Sequence, residues 1–254
     1  MTSQTVNSSS VEEPAYFVQN QQSVCPWLFV VDHASAHIPG RFSQLGLTAR
    51  DLGRHIAYDI GALEVASQVS KSLDATLIHC GVSRLVIDCN RPLQVASLIP
   101  EQGDEGPIPG NAQLSDRDRQ QRIDAFWTPY HDAIERVITA RIALGIETRY
   151  VAAHSMTNAL RGHVRTMDGA VLYRGTSTLG PRLAQYWTDR HQLTIAHNQP
   201  YQLTDETDYS VPFHAERRDL DYIELEMRQD LIHTASGQHR WAQLLLDGLA
   251  ALTN

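Results

Sequence analysis

Trp27-Leu28-Phe29-Val30-Val31-Asp32-His33 decides the fold. An unbroken apolar run of this kind suits a strand buried on both faces, as in a parallel sheet, rather than the alternation of a half-exposed strand. The run stops abruptly at an acid and an imidazole. Further along, Ile56, Ile60, Leu63, Val65, Ala66 and Val69 recur at helical spacing and predict a helix over 53–73. Ala75–His79 and Ser83–Asp88 read as short strands. Residues 97–114, rich in Pro and Gly, read as a loop. A long helix is expected over about 115–144, with Ser115 as N-cap and Asp118 three residues on. Thr148–Ala153 predicts a strand ending at His154, and Met167–Tyr173 predicts another. A helix over 179–191, a weak strand at Leu193–Ala196, a strand at Leu220–Met227 and a helix over about 238–252 complete the pattern. This alternation predicts an α/β sandwich around a mostly parallel sheet. No repeat or linker divides the chain, so residues 14–254 are expected to form one catalytic domain behind a disordered tail at 1–13.

Composition narrows the function. The chain has 254 residues, 21 basic and 29 acidic, for a net charge of -8. No basic block marks a nucleic-acid surface. No apolar run approaches the roughly 18 residues of a membrane span, and the N-terminus lacks the basic-then-apolar pattern of a signal peptide. The three cysteines, Cys25, Cys80 and Cys89, form no CxxC pair. They read as free thiols in a reducing compartment, which points to the cytoplasm. Oligomeric state stays open, a homo-oligomer included.

In open α/β sheets, ligand sites form beyond the carboxyl ends of the strands. Asp32-His33, Asn90-Arg91, His154-Ser155 and Glu226 all stand where apolar strands stop, so they are expected to converge on one cleft. His33 and His154 are candidate metal ligands, and each alone would equally suit a capped or hydrogen-bonded histidine of the core. Asp32 could orient an imidazole or bind the metal itself. His55 and Asp59, four apart on the expected helix, share a face and read as two ligands or as a surface ion pair. Arg91, with Asn90 beside it and Asp88 as a brace, offers a planar fork that matches a carboxylate. Glu224 and Glu226 point to one side of their strand, where a buried carboxylate suits the general base of a hydrolysis. His214 could reach the cleft from the preceding loop. Ser155 lacks the GxSxG surroundings of a nucleophile elbow.

Taken together, the blocks are more specific than any one of them. Asp32-His33-Ala34-Ser35, His55 with Tyr58-Asp59-Ile60-Gly61-Ala62, Arg84-Leu85-Val86-Ile87-Asp88-Cys89-Asn90-Arg91-Pro92, Ile108-Pro109-Gly110-Asn111, Trp127-Thr128-Pro129-Tyr130-His131, His154-Ser155 and Glu226-Met227-Arg228-Gln229-Asp230-Leu231 resemble, in order, those of the N-formylglutamate amidohydrolase family. The resemblance implies a three-layer α/β/α sandwich with a mixed, mostly parallel sheet, phosphorylase/hydrolase-like and related to zinc carboxypeptidases. It also implies a hydrolase acting on linear amides of small acidic N-acyl amino acids. In those relatives a histidine, an Asn-Arg pair, a second histidine and a late glutamate occur in that order, matching His33, Asn90-Arg91, His154 and Glu226. The relatives place a glutamate ligand three residues after the first histidine, where this chain has Ala36. The expected metal set is therefore His33, Asp59 and His154, with His55 and Asp32 as alternatives to Asp59. Zinc is the expected ion, with other divalent metals open. Asn90, Arg91 and Ser155 are expected to bind substrate, and Glu226, Glu224 and His214 to serve catalysis. Rival readings are a desuccinylase- or muramoyl-amidase-like hydrolase and a non-catalytic dicarboxylate-binding protein.

Overall fold

A computed structural model describes residues 13–104, 106–160, 162–175 and 177–253. The expected tail at 1–13 lies outside these residues except for Glu13, whose carboxylate sits 3.2 Å from His37 Nε2. The opening run forms strand β2 (Trp27–Val31), with all five side chains buried. Burying such a side chain contributes about 1.5–3 kcal/mol, so the run has strong reason to sit at the centre of the sheet. The other strands of its sheet are β1 (Tyr16–Gln19), β3 (Thr76–Cys80), β4 (Arg149–Met156), β5 (Gly169–Leu172), β6 (Ile195–His197) and β7 (Tyr222–Arg228). They form one seven-stranded sheet in the order β1-β3-β2-β4-β7-β5-β6. The central strands β3, β2, β4 and β7 run parallel, while β1 and the β5–β6 pair run against them.

Helices cover both faces. On one side lie α1 (Ala62–Leu73), α4 (Leu179–His191) and α5 (Ala235–Leu252), packed on Phe29, Val31, Val151 and Leu225. Helix α1 buries Ala62, Val65, Ala66, Val69 and Ser70, one stripe at helical spacing. Trp187 of α4 meets Trp241 of α5 edge to face at 5.8 Å, and its Nε1 donates to the Leu244 carbonyl. On the other side α2 (Asp116–Arg122) runs through one wide turn, Ile123–Trp127, into α3 (Thr128–Ala143). These elements, with the buried loop Leu85–Ile87, cover Leu28, Val30, Tyr150 and Ala152. The architecture is the three-layer sandwich with a mixed, mostly parallel sheet.

Two expectations need correction. The helix expected over 53–73 begins only at Ala62. The Asp59 amide donates to the His33 carbonyl at 2.9 Å, a bond that draws 55–60 towards the end of β2 instead of into a helix. Gly61 completes the diversion at φ +81°, and a Cβ there would lie 2.2 Å from the Ile232 carbonyl oxygen, so only glycine fits. Ser83–Asp88 is not a strand but a buried turn. Its carbonyls are taken by side chains: Asn111 Nδ2 donates to Leu85 and Arg122 Nη1 to Val86.

Candidate active site

Register aligns the chemistry. Glu226 stands opposite His154 and Glu224 opposite Ala152, which is itself paired with Val30. Two residues beyond Val30 is Asp32, so Asp32, His154 and Glu226 fall in one row across the sheet, on the α3 side. β4 runs on to Met156, which places His154 and Ser155 inside the strand rather than after it.

His33, Asp59 and His154 meet there, all buried, each offering one donor atom within 4.8 Å of the others. Both imidazoles turn Nδ1 to the same oxygen: His33 Nδ1 is 3.3 Å and His154 Nδ1 2.9 Å from Asp59 Oδ2. Each turns Nε2 to a further carboxylate, His33 to Asp88 Oδ1 at 2.7 Å and His154 to Asp32 Oδ2 at 3.5 Å. A carboxylate behind the imidazole fixes its orientation and raises its basicity, the arrangement of histidine ligands to zinc. Two nitrogens and an oxygen suit zinc. Asp32 Oδ1 is itself held by the hydroxyls of Tyr130 and Ser210. Asp59 Oδ1 faces Arg84 Nη1 at 3.5 Å and His55 Nδ1 at 3.6 Å.

The cluster opens into a cavity of about 550 Å³, also lined by Glu224, Glu226, Ser155 and Tyr201. Glu226 Oε2, Glu224 Oε2 and Ser155 Oγ are buried with no hydrogen-bond partner. Asn90 and Arg91 reach the cavity wall, but with other work to do. Asn90 Oδ1 accepts from the amides of Tyr209 and Ser210, pinning the 204–210 loop. Arg91 Nη1 donates to the carbonyls of Asn90 and Thr207. Asp88 braces His33 and Arg84 rather than Arg91.

His214 is not part of this cleft. It is fully buried in a separate relay, with Nε2 2.8 Å from His131 Nδ1 and Nδ1 2.6 Å from Glu135 Oε1. Sequence reasoning took it for a loop residue, but it sits on a wide helical turn, Val211–Ala215, under α3. Conversely, Arg84 was not singled out. Its signal was its spacing of four from Asp88, legible only once that segment is known to be a turn.

The sequence pattern of N-formylglutamate amidohydrolases matches residues 25–233. The chain belongs to the N-formylglutamate amidohydrolase family. A gene product of Agrobacterium tumefaciens is 33% identical, covering 97% of this chain and 99% of its own, with a TM-score of 0.91. An N-formylglutamate amidohydrolase from Ralstonia eutropha JMP134 shares the fold at 18% identity and a TM-score of 0.65, over 91% of this chain and 96% of its own. No curated protein matches. Membership in the N-formylglutamate amidohydrolase family supports an amidohydrolase.

Electrostatics sets the roles apart. Burial opposes charge on His154, but the Asp32 and Asp59 carboxylates beside it outweigh that and hold it well above the usual imidazole range. Burial likewise opposes charge on Asp59, and His33 and His154 hold it well below the usual carboxylate range. An imidazole ligates only through an unprotonated nitrogen, so a divalent cation in this site would take the place of the protons that the carboxylates now hold on His33 and His154. His55, by contrast, is pushed down to about 4, chiefly by burial. Glu226 is pushed up to about 7, again chiefly by burial.

Proposed function

We propose that this protein is a metal-dependent amidohydrolase that cleaves a small N-acyl amino acid, of the N-formylglutamate kind, into the free amino acid and a small carboxylic acid. The observation that carries the reading is the shared aim of two buried imidazoles at Asp59 Oδ2, each backed by a second carboxylate, at the mouth of a cavity that also holds an unpartnered Glu226. His33, Asp59 and His154 would hold the ion, zinc by donor chemistry. A divalent cation held there would polarise a carbonyl and acidify a water.

The chain's own residues do the rest. Glu226, within the same row as His154, accepts a proton from the attacking water and delivers it to the amine nitrogen as the C–N bond breaks. A carboxyl pushed up to about 7 can both take and return a proton near neutrality. Arg91 lines the cavity, and its guanidinium would receive the carboxylate common to all N-acyl amino acids. Ser155 Oγ, buried and unpartnered, is placed to bond a polar atom of the substrate. A substrate anchored in the cavity would hold its amide in register with these groups, which lowers the entropic part of the barrier. Among the described residues no helix is long and apolar enough to cross a membrane. The free Cys25, Cys80 and Cys89 accord with a cytoplasmic enzyme.

The test is release of free amine from a panel of N-formyl and N-acetyl amino acids, before and after chelation and after zinc is restored. Turnover abolished by the chelator and regained with zinc is expected. Undiminished turnover in a protein shown to hold no metal would sink the metal assignment.

A further inference from the structure

Arg165 is a buried cation that no carboxylate answers. It follows a short ribbon, Ala159–Leu160 against His163–Val164, whose ends are tied by the Arg165 amide donating to the Asn158 carbonyl at 2.8 Å. Its guanidinium reaches back to the residue just past the end of β4. Nη1 donates to the Thr157 carbonyl at 2.9 Å and hydroxyl at 3.3 Å, and Nη2 donates to the Tyr201 hydroxyl at 2.8 Å. The guanidinium carbon lies 5.1 Å from the centre of the Tyr201 ring. Arg84, Arg174 and Arg218 each meet a carboxylate. Arg165, only 7% exposed, meets none among the described residues.

Two other buried arginines also lack a carboxylate, but they act as clamps. Arg122 holds the carbonyls of Val86 and Gly110 and the side-chain oxygen of Asn111, and Arg141 holds the carbonyls of Ser23, Cys25 and Glu147. Neither lines the cavity. Arg165 differs because one of its bonds goes to a phenol. The Tyr201 hydroxyl accepts that bond, and its own hydrogen meets no acceptor among the described residues. Tyr201 and Thr157 both line the cavity, and Tyr201 is 37% exposed. The guanidinium therefore stands directly behind the wall, and its charge is felt at His55, a further residue of that wall. Burial first, and then the Glu226 charge, hold the Tyr201 phenol above its usual value, so it keeps its proton. A hydroxyl that accepts from a cation is a strengthened donor. A desolvated cation with neutral partners alone is costly until an anion joins it.

We propose that Tyr201, backed by Arg165, receives the side-chain carboxylate of the substrate and so selects N-acyl derivatives of acidic amino acids. The proposal rests on the amidohydrolase reading for the identity of the ligand. Arg91 takes the carboxylate that every N-acyl amino acid carries, and the Tyr201 hydroxyl takes the one that only an acidic side chain adds. A side-chain amide of the same shape brings no negative charge to the guanidinium behind. A hydrogen bond to an ionised partner discriminates roughly 10–100-fold.

The experiment compares kcat/KM for N-formylglutamate and N-formylglutamine, which differ in charge and hardly in shape, on the intact zinc-loaded protein. Calorimetric binding of free glutamate and glutamine runs beside it. The acidic member is expected to exceed the amide roughly 10–100-fold in both measurements. Tyr201→Phe keeps the ring under the guanidinium and removes only the hydroxyl, while Arg165→Gln removes the charge. Each should draw the ratio towards one. A merely structural role for the pair would weaken both substrates alike and leave the ratio standing. A wild-type ratio of one or less, or a ratio unchanged by Tyr201→Phe, overturns the subsite while leaving the amidohydrolase reading intact. Absence of turnover, with a glutamate preference in binding that Tyr201→Phe abolishes, would do the reverse.

Discussion

The protein contains two buried histidine pairs with the same separation and different roles. The ring centroids of His33 and His154 are 5.1 Å apart, as are those of His131 and His214. In the second pair every ring nitrogen has a close partner: the Cys89 carbonyl, the other ring, and Glu135. It is closed, packed edge-on or tilted against Tyr209 and Trp127, and contributes no residue to the cavity wall. In the first pair both rings converge on one oxygen, His154 Nε2 lacks a hydrogen-bonded partner, and the cavity begins alongside. Distance between imidazoles therefore says little about function. What separates ligand from girder is whether the polar accounts of the cluster close within the protein.

The sharpest break in the comparison should come from Glu226→Gln. It keeps the shape of the open corner and removes the base, so turnover should fall on the order of 10²- to 10⁴-fold. Bound metal measured by elemental analysis should be unchanged; retained turnover would remove Glu226 from proton transfer. The closed corner should respond in the opposite sense. His214→Phe leaves His131 Nδ1 and Glu135 Oε1 without their shared partner, which should cost about 2–3 kcal/mol in urea unfolding. Metal stoichiometry should survive, and its loss would mean the two pairs are linked. The smallest effect concerns Glu135, whose carboxyl lies below its usual value chiefly through the His214 hydrogen bond, with help from Arg218. A depressed carboxyl stabilises the fold above the unfolded value and ceases to do so as pH falls through the folded one. Glu135 is partly exposed, so Glu135→Gln should lower stability at pH 7 by about 1 kcal/mol or less. That difference should be fully present above pH 4.5 and fade as the pH falls below it. A gap that widens in acid would reverse the assignment.

Legibility in the sequence followed the locality of the cause. β2 was readable residue for residue because a continuous apolar run has few other uses, and α4 because its stripe and length agree. Leu85-Val86-Ile87 misled for a reason that lies elsewhere in the chain. The partners of its carbonyls are Asn111 and Arg122, side chains that replace the neighbouring strand its apolar character implied. His55 and Asp59 do come near one another, but through a turn held by the His33 carbonyl and not through a helix. β1 was overlooked because it is four residues long with alternate side chains facing solvent. In the site, strand endings located His33 and His154. The roles of Arg84 and Asp88 depend on contacts across the fold.

The close approach of Gly61 to the Ile232 carbonyl has a consequence for how the enzyme can drift. That glycine touches none of the reacting groups, yet it stands two residues from Asp59 and immediately before α1. A single methyl there would wedge the chain away from its neighbour and carry the shared oxygen out of reach of both rings. Activity would then fade through misplacement rather than through loss of any reactive atom, and every participant in the reaction would still be written in the gene.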